Sequence, residues 1–287
     1  MVFTLRSRKH KEIAVDKYIE SLQNPLVKQV RNLQSKSRER RKTGLFVIEG
    51  VREVNLALQS EYNIKTLLYC KEVASELVLS DVLNSLNQKT ERVEIGKQVY
   101  ERLAYRASTE GVIANVQEKK HDVNTLKSKL SATPLLLVAE APEKPGNIGA
   151  LLRTADAANL DGVIIANPKT DLYNPNIIRS SVGCVFSMPI ATGSTSEIIQ
   201  FLKENNIAIY SAILQDSKCY TDMDFKQSTA IVIGTEDVGL SQEWRKASKQ
   251  NISIPMQGKI DSMNLSVAAG ILIFEAKRQR NFKQNPK

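Results

Sequence analysis

Short, unbroken apolar runs alternate along this chain with stretches whose apolar positions fall three and four apart. The first pattern predicts strands buried on both faces, and the second predicts helices with one apolar side. Leu26, Val27, Val30 and Leu33 share the face of a first helix. Strands are then expected at Leu45–Ile48, Ile64–Cys70, Arg92–Ile95 and Val112–Val116. Helices are expected over Val51–Gln59, over Val73–Leu86 with a break near Ser80 and Asp81, and over Lys97–Ala104. That set makes a compact α/β unit of ordinary domain size.

A polar, lysine-rich stretch from Glu118 to Thr133 interrupts the rhythm, with room for one helical turn. Beyond it, strands are expected at Pro134–Ala139, Gly162–Ala166, Val185–Ile190, Ile207–Ile213, Thr229–Gly234 and Ile252–Ile254. Helices are expected over Asn147–Leu160, from Asn174-Pro175 onward, over Thr195–Glu204 and Leu240–Ser248, and after Ser262, where Leu265, Ala268, Ala269, Leu272, Ile273 and Ala276 repeat. Strands alternating with helices imply a parallel sheet covered on both faces. The fold class is therefore α/β in two units. Residues 1–20 read as a basic arm, 21–117 as a first domain, 118–133 as a linker and 134–287 as a second domain.

Charge points to the partner. The net charge is +9 over 287 residues, which favours a polyanion such as nucleic acid or a membrane surface. No apolar run approaches a membrane span of roughly 20 residues. The N-terminal segment lacks the apolar core of a secretory signal. Cys70, Cys184 and Cys219 are far apart and show no metal-ligand spacing, so reduced thiols in a cytoplasmic protein are expected and no metal site. His10 and His121 sit in polar, basic surroundings. Neither is expected in a structured pocket, so any acid–base chemistry falls to other groups. Lys28, Arg31, Lys36, Arg38, Arg40, Arg41 and Lys42 cluster near the first helix. In a basic protein such a run suits phosphates better than a merely solvated helix end.

Three motifs fall at loops that follow strands. Asn147-x-Gly149-x-x-x-Arg153 places a single arginine on an apolar, small-residue helix, where a phosphate could pair with it; Asn147 reads equally as a helix N-cap. Gly234-Thr235-Glu236-Asp237-Val238-Gly239-Leu240 has the glycine spacing of a P-loop, but Leu240 stands where that loop needs lysine. Gly234 ends a strand, where backbone can approach a ligand, and Glu236 reads equally as a solvated loop carboxylate. The third is Pro255-Met256-x-Gly258-x-x-x-Ser262-x-Asn264-x-Ser266, between a short strand and a helix. No G-x-G-x-x-G follows any strand, which argues against a Rossmann dinucleotide or methyl-donor site.

The third motif resembles that of the SpoU (TrmH-type) RNA ribose 2′-O-methyltransferases of the SPOUT superfamily. With the other two it makes an ordered set over roughly Leu135–Arg280. Phe46, Glu49, Gly50 and Arg52 resemble the substrate-binding domain of the same enzymes, which has a ribosomal-protein-like α/β fold; Gly50 as a plain turn and Glu49 as a helix cap is the plainer reading.

The resemblance implies a C-terminal domain whose parallel sheet holds S-adenosylmethionine in a trefoil knot. It implies that Gly234, Ile254 and Met263 hold the cofactor through backbone, with Thr235, Gly239 and Met256 beside them. Met263 stands where the family often has leucine, a nearly volume-conserving change. Arg153 matches the catalytic arginine, and Asn147, Glu236, Ser262 and Asn264 match the other polar site positions. A homodimer with the site at its interface is implied.

An RNA substrate is expected, ribosomal RNA before tRNA. Phosphate contacts are expected from Lys28, Arg31, Arg38, Arg40, Arg41, Arg52 and Arg179. The alternatives are a tRNA ribose methyltransferase, a base methyltransferase, a non-catalytic RNA-binding or ribosome-assembly protein on the same fold, and a nucleotide-dependent α/β enzyme of another family. Arg153 is expected to anchor a phosphate and orient the 2′-hydroxyl, with action as the base left open.

Overall fold

The computed structural model describes residues 17–105, 110–235, 238–259 and 262–282. The N-terminal half runs β1 (Tyr18–Ile19), α1 (Pro25–Ser35), α2 (Ser37–Thr43), β2 (Leu45–Glu49), α3 (Val51–Gln59), β3 (Ile64–Tyr69), α4 (Glu76–Ser85), β4 (Glu91–Ile95), α5 (Lys97–Leu103) and β5 (Val112–Gln117). Its strands form one mixed sheet in the order β1-β4-β3-β5-β2. β3 and β4 are parallel, while β5 runs antiparallel to both β2 and β3.

Two expectations fail here. Residues 18 and 19, assigned to a loose arm, pair in parallel with Glu94 and Ile95 and extend the sheet, because Ile19 is buried under it; residues 1–16 lie outside the described ones. The helix at Ser80–Asp81 is unbroken: Leu79, Val82 and Leu83 hold one face against the core on both sides of that pair.

The connecting stretch holds the short α6 (Val123–Lys127), capped by Asp122. Then follow β6 (Leu135–Glu140), α7 (Pro145–Ala157), β7 (Gly162–Ala166), α8 (Pro175–Ser180), α9 (Cys184–Ser187), β8 (Ile190–Gly193), α10 (Thr195–Glu204), β9 (Ala208–Ala212), β10 (Lys218–Cys219), β11 (Thr229–Ile233), α11 (Gln242–Ala247), β12 (Gln250–Ser253) and α12 (Leu265–Gln279). The second sheet has the order β10-β12-β9-β11-β6-β7-β8. Its strand pairings are parallel throughout the described residues. The buried faces of β6, β7 and β11 explain their unbroken apolar sequences.

The expected strand at Val185–Ile190 is instead helix α9 followed by a later strand. Gly183 turns the chain at φ +84°, and the Ser181 side chain accepts from the Val185 N–H, which starts a helical turn. Val185 and Phe186 spend their apolar surface against the N-terminal half rather than in the sheet. Asn147 is not an N-cap either. Helix α7 begins at Pro145, whose fixed φ suits a first turn, and Lys144 is the cap residue.

The two halves share one buried apolar cluster. Phe46 stacks on Tyr173 with ring centroids 4.0 Å apart, and Tyr62 meets Phe186 edge to face at 5.2 Å. The Tyr62 and Tyr173 hydroxyls lie 3.1 Å apart, and Tyr173 Oη lies 2.8 Å from His121 Nε2. Burial pushes the Tyr173 hydroxyl up, away from ionisation.

Candidate cofactor and RNA site

The loops leaving β9, β11 and β12 lie side by side at the carboxyl ends of parallel strands, where open α/β sheets take ligands. They enclose a cavity of about 320 Å³. Gly234, Thr235, Gly239, Ile254, Met256 and Met263 all line it, and Ser262 with them. The wall is tight. A Cβ on Gly234 would collide with the backbone of Gly239, so only glycine lets the two ends of that loop close. Gly239 itself has φ +69° and returns its N–H to the Thr235 carbonyl at 3.0 Å. Glu236, at the tip of this loop, lies outside the described residues.

A buried carboxylate holds the far side of that loop. Glu140, at the end of β6, is only 6% exposed. It accepts from the Ser241 N–H at 2.7 Å, from Ser241 Oγ at 2.9 Å and from Thr195 Oγ1 at 2.7 Å. Thr195 is held in turn by Asn167, whose Nδ2 donates to its hydroxyl at 2.8 Å. The sequence reading missed Glu140, although a carboxylate closing the run Leu135 to Ala139 was visible as the one charge in an apolar strand.

Asn264 caps α12, accepting from the Ser266 N–H at 3.0 Å, and its Nδ2 lies 3.3 Å from Asn147 Oδ1. The first and third motifs therefore meet. Gly149 lies so close to Ser180 that a Cβ would strike its hydroxyl, which fixes α7 against α8.

Arg153, further along α7, is exposed, does not line the cavity of its own chain, and has no side-chain hydrogen bond or ion pair among the described residues. Its surroundings are shared with Arg52. The Cys184 thiol is pushed up to about 11, chiefly by burial and then by Asp156, while Arg52 and Arg153 both pull it down. Both charges act on this thiol from α3 and α7, and Cys184 nevertheless stays neutral.

Of the basic residues, Lys28, Arg31, Arg38 and Arg41 are exposed on α1 and α2. Arg40 is not part of that surface. It is 4% exposed, and its guanidinium is taken by Asp171 and the Leu33 carbonyl, so it cannot serve a phosphate. Arg52 is exposed, and Arg179 lies 3.9 Å over the Tyr105 ring. His121 also departs from expectation. It is held between Tyr173 and the Ile190 carbonyl, and burial lowers its pKa, with Lys119 and Lys129 adding to the effect. Its basic sequence neighbours concealed a structured site. Glu49 does not cap α3: it accepts from the Tyr105 N–H and from Gln34 Nε2, both at 2.8 Å.

Among the described residues no group of three or more histidine, cysteine or acidic side chains could hold a metal ion, and no helix is long and apolar enough to cross a membrane.

Comparison with known proteins adds a family. Residues 134–274 match the model of the SpoU rRNA Methylase family, and residues 24–114 match an MRM3-like substrate binding domain. A 23S rRNA (uridine(2479)-2′-O)-methyltransferase of Streptomyces viridochromogenes is 30% identical over 84% of this chain and 85% of its own. A 23S rRNA (guanosine(2553)-2′-O)-methyltransferase of Bacillus subtilis is 31% identical over 90% of this chain and 98% of its own. Among solved structures, the AdoMet-bound rRNA methyltransferase from Sinorhizobium meliloti superposes with a TM-score of 0.83 at 28% identity, covering 91% of this chain and 97% of that one.

Proposed function

Because the chain belongs to the SpoU rRNA methylase family, we propose that it transfers a methyl group from S-adenosylmethionine to a ribose 2′-hydroxyl of large-subunit ribosomal RNA. The observation that carries the reading is the meeting of Gly234, Thr235, Gly239, Ile254, Met256 and Met263 on one cavity at the carboxyl ends of parallel strands. The residues fit the cofactor. The cavity of about 320 Å³ lies within the usual range for small-molecule sites. Glycine backbone lines one wall and Ile254 and Leu240 supply apolar surface, as an adenosine moiety requires. The reading includes the family's trefoil knot, with the 234–240 and 254–263 loops as its cofactor-holding segments.

When bound, S-adenosylmethionine supplies a methyl group already activated on a sulfonium. The chain's own residues then have to position the hydroxyl, since a ribose 2′-OH is a weak nucleophile near neutral pH. Arg153, charged and with no side-chain hydrogen bond among the described residues, binds the phosphate of the target nucleotide and orients its 2′-OH. Asn147 and Asn264, joined to each other, fix the junction of α7 and α12 beside it. Ser262 on the cavity wall and Glu236 complete the polar set. Lys28, Arg31, Arg38 and Arg41 hold flanking phosphates, which position the RNA without reading its sequence.

A homodimer belongs to the same reading. Val267 and Phe274 are 53% and 44% exposed on α12, with Ile271 between them, beside α7. A second copy across this apolar stripe accounts for an arginine that lies off its own chain's cavity: Arg153 would serve the cavity of the partner. The expected place of action is the cytoplasm.

Two measurements test the reading. Thermal unfolding with S-adenosylmethionine should shift upward, by about 2.7 kcal/mol of added stability at a hundredfold excess over Kd. Mapping 2′-O-methyl marks on total RNA with and without the gene should show one large-subunit mark lost. Loss of a tRNA mark instead, or no shift and no loss, would sink it.

A further inference from the structure

A second cavity, of about 270 Å³, opens between the start of α3 and helix α8, with Arg52 and Arg179 on its wall. Its walls are unusual for a protein that grips a polyanion. Glu49, Glu53 and Glu110 line it together with the two arginines and Tyr105. Three carboxylates repel phosphate, so this cleft is not simply more phosphate-binding surface.

Each group has a separate place. Glu49 accepts the Tyr105 N–H at 2.8 Å and thereby positions that residue. Tyr105, with the Arg179 guanidinium backing one face of its ring, is 66% exposed as a residue. Glu110 accepts the Val51 N–H at 3.0 Å at the start of α3. That leaves Glu53 and Arg52, neighbours on α3, with no side-chain hydrogen bond among the described residues. A stacking ring, a spare carboxylate and a spare guanidinium therefore face one cleft.

We propose that this cleft takes an unpaired guanine of the RNA, stacked on Tyr105, with its Watson–Crick edge on Glu53 and its phosphate on Arg52. The inference rests on the RNA-methylating reading above. Single-stranded bases are recognised by aromatic stacking and by hydrogen bonds along their exposed edges. A carboxylate accepts two hydrogen bonds side by side and donates none. Guanine alone offers two adjacent donors on that edge, N1–H and the 2-amino group. Adenine and cytosine present a ring nitrogen acceptor beside their one amino group. Uracil flanks its single N3–H with two carbonyls.

The test uses the full chain and single-stranded RNAs of uridine carrying one central guanosine, inosine, adenosine, cytidine or uridine, with binding read by fluorescence anisotropy. Guanosine should bind about tenfold tighter than uridine, the lower end of what one good bidentate contact discriminates. Inosine, which lacks the 2-amino group, should fall between them. Glu53→Gln should abolish the preference while leaving uridine binding unchanged, and Tyr105→Ala should weaken every RNA. Equal affinity for guanosine and uridine, or a preference that survives Glu53→Gln, overturns the proposal. Cofactor binding is measured by calorimetry on the same samples. If S-adenosylmethionine binds but guanosine is not preferred, the cleft assignment fails alone. If the cofactor does not bind, the methyl-transfer reading fails with it.

Discussion

Arg40 and Asp171 form a two-pronged ion pair between the halves of the molecule, Nε to Oδ1 at 2.9 Å and Nη2 to Oδ2 at 2.8 Å. The arginine is 4% exposed, and its Nη1 donates to the Leu33 carbonyl at the end of the buried face of α1. A residue that sequence places in a phosphate-binding run is thus the pin that sets the N-terminal half against the C-terminal half. Arg40→Ala should leave Asp171 largely buried without its partner, at a cost of about 3 to 5 kcal/mol. Chemical denaturation should show that loss. RNA affinity measured well below the melting temperature should change far less than in Arg41→Ala.

Arg153 makes the opposite case. Its side chain bonds to no other described residue, so its removal leaves nothing orphaned. Arg153→Ala should change stability by less than about 0.5 kcal/mol. Methyl transfer should fall by several orders of magnitude while S-adenosylmethionine affinity stays within about twofold, as expected of a group that holds the hydroxyl in line but does not hold the cofactor. Arg153→Lys should recover little, because one ammonium cannot reproduce the planar fork. Transfer near the wild-type rate in the alanine variant would remove this residue from the site.

Glu140 tests the cofactor loop from behind. It does not line the cavity, yet it holds the Ser241 N–H and hydroxyl that end the 234–240 loop. Glu140→Ala should leave at least two donors unsatisfied, costing about 2 to 6 kcal/mol at about 1 to 3 per group. Glu140→Gln, which keeps one acceptor oxygen, should recover part of it. The cofactor dissociation constant should rise in both variants, in the same order as the stability loss. An unchanged constant would mean that the loop keeps its shape without this anchor.

His121 adds a pH dependence. Its folded pKa lies below the unfolded value, chiefly through burial, with Lys119 and Lys129 disfavouring a third charge and Asp122 opposing them. Above about pH 6.5 both states are neutral and the residue contributes nothing. As pH falls below that value the unfolded chain takes up the proton first, so stability declines until the folded pKa is reached. As pH falls below about 6.5, melting temperature should therefore drop more steeply in the wild type than in His121→Gln.

The site was legible in the sequence to the extent that it is made of backbone. Gly234 and Gly239 announce themselves because a close approach at the first and a sharp turn at the second restrict which residue can stand there, and that restriction is local. The alternation of buried strands and helices was legible for the same reason: β6, β7 and β11 need apolar residues on both faces whatever lies around them.

What the sequence could not decide was where an apolar run or a charge would be spent. Val185 and Phe186 look like strand residues until Tyr62 and Phe46 give them an interdomain core to fill. Arg40 looks like its exposed neighbours until Asp171, far along the chain, arrives opposite it. His121 gains its pocket only when Tyr173 closes over it. Local sterics act through neighbouring bonds and are written into the order of residues. Pairing and burial act through space, and only the folded chain brings those partners together.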